Sequence, residues 1–227
     1  MESTFTPHKQ TELILPYKDT RIKMPLTTCN PKLDEVIFES NNTKFIVYGI
    51  AGSGKTNFLL NLIKCSQHNN TIVFISTEGS TVINRVSNLN IESENVYFST
   101  ALSQEHLISL ILDSLSLNPS IIIIDSLNYL YRVELSRDKK SIAFPGLLTL
   151  LDMITKRGII IFGSAQVYFD EDSGRTLPSG FEYLELWSDV IIEIDVLNNR
   201  TRAIKFVKPS IAKTFKFVIT SNGIYWL

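Results

Sequence analysis

The sequence predicts an α/β fold: a mainly parallel central sheet, helices on both of its faces, and a C-terminal antiparallel extension. Three observations lead there. Apolar, β-branched runs at Lys44–Tyr48, Thr71–Ser76, Ser120–Asp125 and Gly158–Gly163 read as strands, the later three buried on both faces. Segments with helical apolar spacing lie between them. After about Trp187 the helices stop and β-rich segments follow one another.

Gly49-Ile50-Ala51-Gly52-Ser53-Gly54-Lys55-Thr56 joins the first strand to the first long helix. It fits G-x-x-x-x-G-K-[ST], the phosphate-binding P-loop. Gly49, Gly52 and Gly54, with Ser53 between them, let backbone N–H groups turn inward around phosphate oxygens. The following helix, Thr56 to Cys65, points its positive end at the same phosphates. Lys55 adds a point charge for the terminal phosphates, and Thr56 offers a hydroxyl to Mg²⁺. A glycine-rich turn with no ligand does not explain Lys55-Thr56 at this offset.

The chain has 227 residues, which suits one α/β domain: an N-terminal extension over residues 1–23 and a core over 24–227. Hydrophobic residues make up 44% and charged residues 20%, which excludes a disordered or membrane-spanning class. No apolar run approaches the roughly 20 residues of a membrane span, and no secretory leader is visible. The expected compartment is the cytoplasm. Cys29 and Cys65 have no metal-like spacing and are expected to be reduced and structural. His8, His68 and His106 are scattered and form no ligand pair. The net charge of −1 excludes a generally basic nucleic-acid binder.

The elements follow in order. Asn30 is a plausible N-cap with Pro31 at the first helical place, opening a short helix to Phe38. After the P-loop helix and strand Thr71–Ser76, Ser80 can cap a helix reaching about Leu89. Asn95–Phe98 is a short strand and Gln104–Leu115 a helix. Four isoleucines at 121–124 form a central strand that delivers Asp125 at its carboxyl end, where parallel sheets bind ligands. Gly146–Lys156 is a helix that Pro145 starts or interrupts. Strand Gly158–Gly163 delivers Ser164-Ala165-Gln166 to the same edge. Val167–Phe181, rich in Asp, Glu, Gly and Pro, reads as a mobile loop. Trp187–Val196, Thr201–Pro209 and Thr214–Ile219 read as strands.

Asp125 is the expected partner of the P-loop, holding Mg²⁺ beside Thr56; the alternative is a carboxylate capping the turn at Asn128. Glu78, at the end of the neighbouring strand, could polarise an attacking water or could cap the helix behind Ser80. Gln166 ends a third strand and could sense the terminal phosphate or be a satisfied buried amide. From Val196 to Leu227 there is no acidic residue, and Arg200, Arg202, Lys205, Lys208, Lys213 and Lys216 interleave with aromatics. That composition can track single-stranded DNA, or it can be solvated strand positions. Contact of all six with phosphates would give a log–log salt slope of about −4.

The P-loop, Ser76-Thr-Glu-Gly79, Ile121-Ile-Ile-Ile-Asp-Ser-Leu-Asn-Tyr-Leu-Tyr-Arg132 and Ser164-Ala-Gln-Val167 occur in the order of the RecA/RadA-type recombinase superfamily. The segment from Asp125 to Leu135 is especially similar to archaeal RadA paralogues of the RadB-like group, and Leu26–Glu35 resembles their entry to the core. The resemblance spans roughly residues 24–225. It implies a RecA-like P-loop NTPase core using ATP and Mg²⁺, with Lys55 and Thr56 on phosphates and metal and Asp125 as the second metal-site residue. It implies Glu78 as the water-activating carboxylate, Gln166 as the terminal-phosphate sensor, and Arg85 stacked on adenine.

The same resemblance suggests a slowly hydrolysing paralogue in recombinational repair, with a RadA-type recombinase and single-stranded DNA as partners. The chain departs from full recombinases in several places. There is no room for their N-terminal helical DNA-binding domain. Phe5-Thr-Pro-His8 lacks the alanine of the polymerisation motif, and Glu39–Asn42 replaces the glycine-rich turn before the P-loop strand. Asp170, Glu171, Asp172, Glu182 and Glu185 crowd the expected DNA loop. A modulating paralogue is therefore expected. The competing readings are a nucleotide-gated adaptor without turnover and a KaiC-like signalling ATPase without DNA.

Overall fold

In the computed structural model, residues 26–38, 41–79, 82–91, 94–135, 143–171 and 174–227 are described. The N-terminal extension and Ser80, the expected helix cap, lie outside them. In chain order the elements are α1 (Pro31–Phe38), β1 (Lys44–Tyr48), α2 (Lys55–Ser66), β2 (Ile72–Ser76), α3 (Val82–Val86), β3 (Val96–Thr100) and α4 (Gln104–Ser114). Then come β4 (Ile121–Asp125), α5 (Tyr129–Leu135), α6 (Ala143–Thr155), β5 (Ile160–Ala165), β6 (Val167–Asp170), β7 (Arg175–Pro178) and α7 (Phe181–Trp187). The chain continues through β8 (Val190–Val196), β9 (Thr201–Lys208), β10 (Thr214–Thr220) and β11 (Gly223–Trp226).

Nine strands form one sheet in the order β11-β10-β9-β8-β1-β5-β4-β2-β3. The pairs from β8 through β1 to β3 are parallel, and β8 to β11 are antiparallel. The expected parallel core with an antiparallel extension is what forms. Strand alternation divides the core in two. Phe45, Val47, Phe74 and Ile123 join Phe58, Leu59 and Leu62 of α2 on one face. Ile46, Tyr48, Ile75 and Ile124 join Leu107 of α4, Leu147 of α6 and Leu184 of α7 on the other. Four consecutive isoleucines suit β4 because both of its faces are covered.

The Asn30 cap stands: its side-chain oxygen accepts from Leu33 N at 3.3 Å, with Pro31 first in α1. Pro145 sits in the first turn of α6, where its missing N–H costs nothing, so the helix starts three residues before Gly146. The mobile loop expected over Val167–Phe181 is instead a β6–β7 hairpin, Tyr168 opposite Leu177 and Phe169 opposite Thr176, followed by α7. Its acidic and glycine content masked β-forming side chains that alternate around a turn at Gly174, φ +64°. Trp187 closes α7, and the strand expected from it begins at Val190. Leu184 and Trp187 are the buried residues of that short helix.

The cysteines also depart from expectation. Cys29 and Cys65 form a disulfide, Cα–Cα 5.8 Å, rather than two thiols. No spacing rule links them, because the entry segment is folded across the end of α2 by tertiary contacts. Thr27 N donates to Ser66 Oγ at 3.1 Å, and Asn61 Nδ2 and Trp226 Nε1 both donate to Thr28 O. The bridge spans a sequence separation of 36. Closing such a loop restricts the unfolded chain by about 4 kcal/mol in the chain-entropy model. Reductant is expected to lower the unfolding free energy by about 2–4 kcal/mol. An unchanged urea midpoint with and without reductant would mean the pair holds no covalent bond in solution.

Candidate functional site

The carboxyl ends of β1, β5, β4 and β2 lie side by side, so each strand delivers its next residues to one edge. β1 delivers the glycine-rich loop, β5 Gln166, β4 Asp125 and β2 Glu78. A cleft of about 990 Å³ opens there, and these residues line it together with Lys55, Thr56 and Arg85. Gly49, Gly52 and Gly54 line it too.

The loop is built as a cradle. Gly52 and Gly54 have φ of +76° and +106°, which side chains disfavour. Ser53 is fully buried, and its hydroxyl has no partner among the described residues. Lys55 Nζ donates to the carbonyls of Gly49 at 2.8 Å and Ile50 at 3.2 Å. Burial pushes its ammonium down from the ordinary lysine range, opposed by the charges of Asp125 and Glu78.

Asp125 is 4% exposed and both of its oxygens are engaged. Oδ2 accepts from Thr56 Oγ1 at 2.7 Å, and Oδ1 accepts a short hydrogen bond from Ser164 Oγ. Burial pushes this carboxyl up; the Ser164 and Thr56 hydroxyls and the Lys55 charge hold it down, while Glu78 adds repulsion. The Asp125–Ser126 peptide bond is cis, and Thr77 Oγ1 both donates to Ser126 O and accepts from Ser126 N. The turn-capping alternative for Asp125 is not what forms, since its oxygens go to Thr56 and Ser164.

The donor set suits a phosphate-bearing ligand with a hard cation. A lysine resting on loop carbonyls and turned-in glycines face one space, while the Ser53 hydroxyl is buried beneath the loop against Gly49. Among the described residues no three His, Cys, Asp or Glu side chains converge on a metal. Thr56 and Asp125 could hold Mg²⁺ only with ligand oxygens and water completing its shell, which is how Mg²⁺ is usually held.

The tail cations divide. Arg200 and Arg202 line the cleft. Arg202 Nη1 donates to Asn199 O at 3.2 Å, and its buried Nε has no partner among the described residues. Lys205 pairs with Asp195 at 2.7 Å, and Lys208 donates to Glu185 O and Ser188 O, each at 2.6 Å. Lys213 and Lys216 are exposed. The β9–β10 register sets Phe217 opposite Arg202 and Lys216 opposite Ala203, so Lys205 and Lys216 share a face that Arg202 does not. The six do not form one ribbon.

Sequence reasoning missed Ser164, Asn128 and Arg132. Ser164 is a polar residue inside an apolar strand and Asn128 follows one closely, a signal that could have found them; Arg132, inside α5, carried none.

This cradle, strand-end carboxylate and enclosing sheet edge define a P-loop ATPase domain. Residues 45–175 match the family model described as ATPase family associated with various cellular activities (AAA). Over 219 residues the chain is 31% identical to DNA repair and recombination protein RadB of Methanococcoides burtonii, covering 88% of this chain and 96% of that one. It is 31% identical to RadB of Methanocaldococcus jannaschii over 70% of this chain and 80% of the relative. RadB of Archaeoglobus fulgidus is 30% identical over 78% and 86%. The chain belongs to the RadB family.

Proposed function

We propose that this protein binds ATP with Mg²⁺ in the cleft, hydrolyses it slowly, and acts in DNA repair and recombination by modulating a RadA-type recombinase on single-stranded DNA. The observation that carries the ATPase reading is the Thr56–Asp125 contact at 2.7 Å beside Lys55 and Glu78. The similarity to DNA repair and recombination proteins RadB supports the recombination role. Among the described residues no helix is long and apolar enough to cross a membrane.

The chain's own residues divide the work. Backbone N–H groups of Gly49–Thr56, Ser53 among them, bind phosphate oxygens. Lys55 exchanges its loop carbonyls for phosphate charge. Thr56 and Asp125 hold the cation. Bound Mg²⁺–ATP supplies the phosphoanhydride and the charge that neutralises it. Glu78 takes the proton of the attacking water, Gln166 meets the terminal phosphate, and Arg85 offers its guanidinium plane to the base.

Capture of the RadA-type recombinase by wild type and Lys55→Ala, with and without ATP, tests this. Lys55→Ala removes charge-assisted hydrogen bonds worth about 1.5–3 kcal/mol each, so nucleotide affinity should fall at least about tenfold and ATP-dependent capture should vanish. Capture indifferent to ATP in both proteins would remove the modulating role. The same samples in a salt series report on DNA. If only Lys213 and Lys216 of the tail meet single-strand phosphates, the log–log slope is about −1.4; a slope near −4 would require all six cations.

A further inference from the structure

Gln166 is held more tightly than a residue following a strand needs to be. Its N–H donates to Asn128 Oδ1 at 2.8 Å, and its carbonyl accepts from Asn128 Nδ2 at 2.8 Å. The same Asn128 Nδ2 donates to Ser179 O at 3.1 Å, at the far end of the β6–β7 hairpin. One turn further along α5, Arg132 N donates to Asn128 O at 3.0 Å. Arg132 Nη1 then donates to the side-chain Oε1 of Gln166 at 2.7 Å. The side chain just before α5 thus clamps the backbone of Gln166, and one within α5 clamps its amide.

The chemistry of that second contact fixes the amide's orientation. A guanidinium has five donors and no acceptor. The end of the Gln166 amide facing Arg132 must therefore be its oxygen, and Nε2 is left as the end that can donate. Both side chains line the cleft. Gln166 follows β5, which lies between β1, carrying the phosphate cradle, and β4, carrying Asp125. Its neighbours along this edge are thus the phosphate cradle and the Thr56–Asp125 pair, which line the same cleft. An amide turned the other way would present a partial negative oxygen to an anion.

We infer that Arg132 is a positioning residue that locks Gln166 as a hydrogen-bond donor to the terminal phosphate, so that the cleft distinguishes a nucleoside triphosphate from a diphosphate. This rests on the nucleotide reading above. Arg132 acts through Gln166, and the sign of the Gln166 contact depends on it. Without Arg132 the amide rotates freely, and selectivity for the third phosphate is lost while binding of the first two persists.

Affinities for Mg²⁺–ADP and for a non-hydrolysable Mg²⁺–ATP analogue, measured on the full chain, test this by their ratio. Arg132→Ala should weaken the analogue about tenfold and ADP less than twofold. Arg132→Lys, again donor-only, should restore most of the ratio. Gln166→Glu, with Arg132 intact, replaces the donor end by an acceptor oxygen and should weaken the analogue at least as much. Arg132→Ala combined with Gln166→Ala should lose no more than either alone. Equal effects on both nucleotides, an unchanged ratio in Arg132→Ala, or wild-type analogue binding by Gln166→Glu would overturn the assignment. Lys55→Ala separates the two levels: if it keeps wild-type affinity for both nucleotides, the nucleotide reading itself fails.

Discussion

Glu78→Gln is expected to bind nucleotide and not turn it over. The glutamine keeps the size of the side chain and removes the one carboxylate at the cleft that no described hydrogen bond engages; Asp125 has both oxygens committed to Thr56 and Ser164. A positioned general base contributes about 10²–10⁴-fold to rate, so single-turnover hydrolysis should fall by at least about 10²-fold. Affinity should hold or rise slightly, because a negative charge near Lys55 and the phosphate site has been removed. Turnover that survives the substitution would move proton abstraction to another group and leave Glu78 as the helix cap considered from the sequence.

Gly49→Ala is expected to cost more stability than any other single methyl in the loop. Gly49 has φ +154°, and a Cβ there would fall on the carbonyl oxygen of Ile194 and lie 2.8 Å from Ser53 Oγ. Ile194 cannot yield: it is buried, and β8 is paired on both sides, to β1 and β9. Overpacking costs about 1–3 kcal/mol and the disfavoured φ adds about 1–2 kcal/mol, so a loss on the order of 2–5 kcal/mol is expected in urea unfolding. Gly52→Ala is the control. Its Cβ would meet nothing within 4 Å, so only the φ of +76° penalises it, about 1–2 kcal/mol. Equal losses at the two positions would show that backbone conformation, not the approach of β8, makes the first glycine necessary.

The legible parts of the molecule are those where local chemistry and tertiary role coincide. β4 could be read because four isoleucines have no purpose except burial on both faces, and the P-loop because its glycines, lysine and threonine each answer a local need. The β6–β7 hairpin was misread because Asp170, Glu171 and Gly174 carry stronger turn signals than the β-forming residues on either side of them. Cys29 and Cys65 were misread because their approach is set by Thr28, Asn61 and Trp226, which are far apart in sequence. Arg132 was invisible as a site residue since its meaning lies in one contact across 34 positions. The six tail cations share a sign in the sequence, and alternation along β9 and β10 then sends them to different surroundings.

The antiparallel extension is more than a lid on the sheet edge. Lys64 Nζ donates to Asn222 O at 2.7 Å, Ile224 N donates to Asn61 Oδ1 at 3.3 Å, and Ile219 lies against the open side of Gly54. The helix that points at the phosphates therefore rests on residues made about 160 positions later in the chain. During synthesis the cradle's amino acids leave the ribosome long before their backing does. Whatever the cradle holds also favours docking of β10 and β11, so ligand and late strands assist each other's arrival.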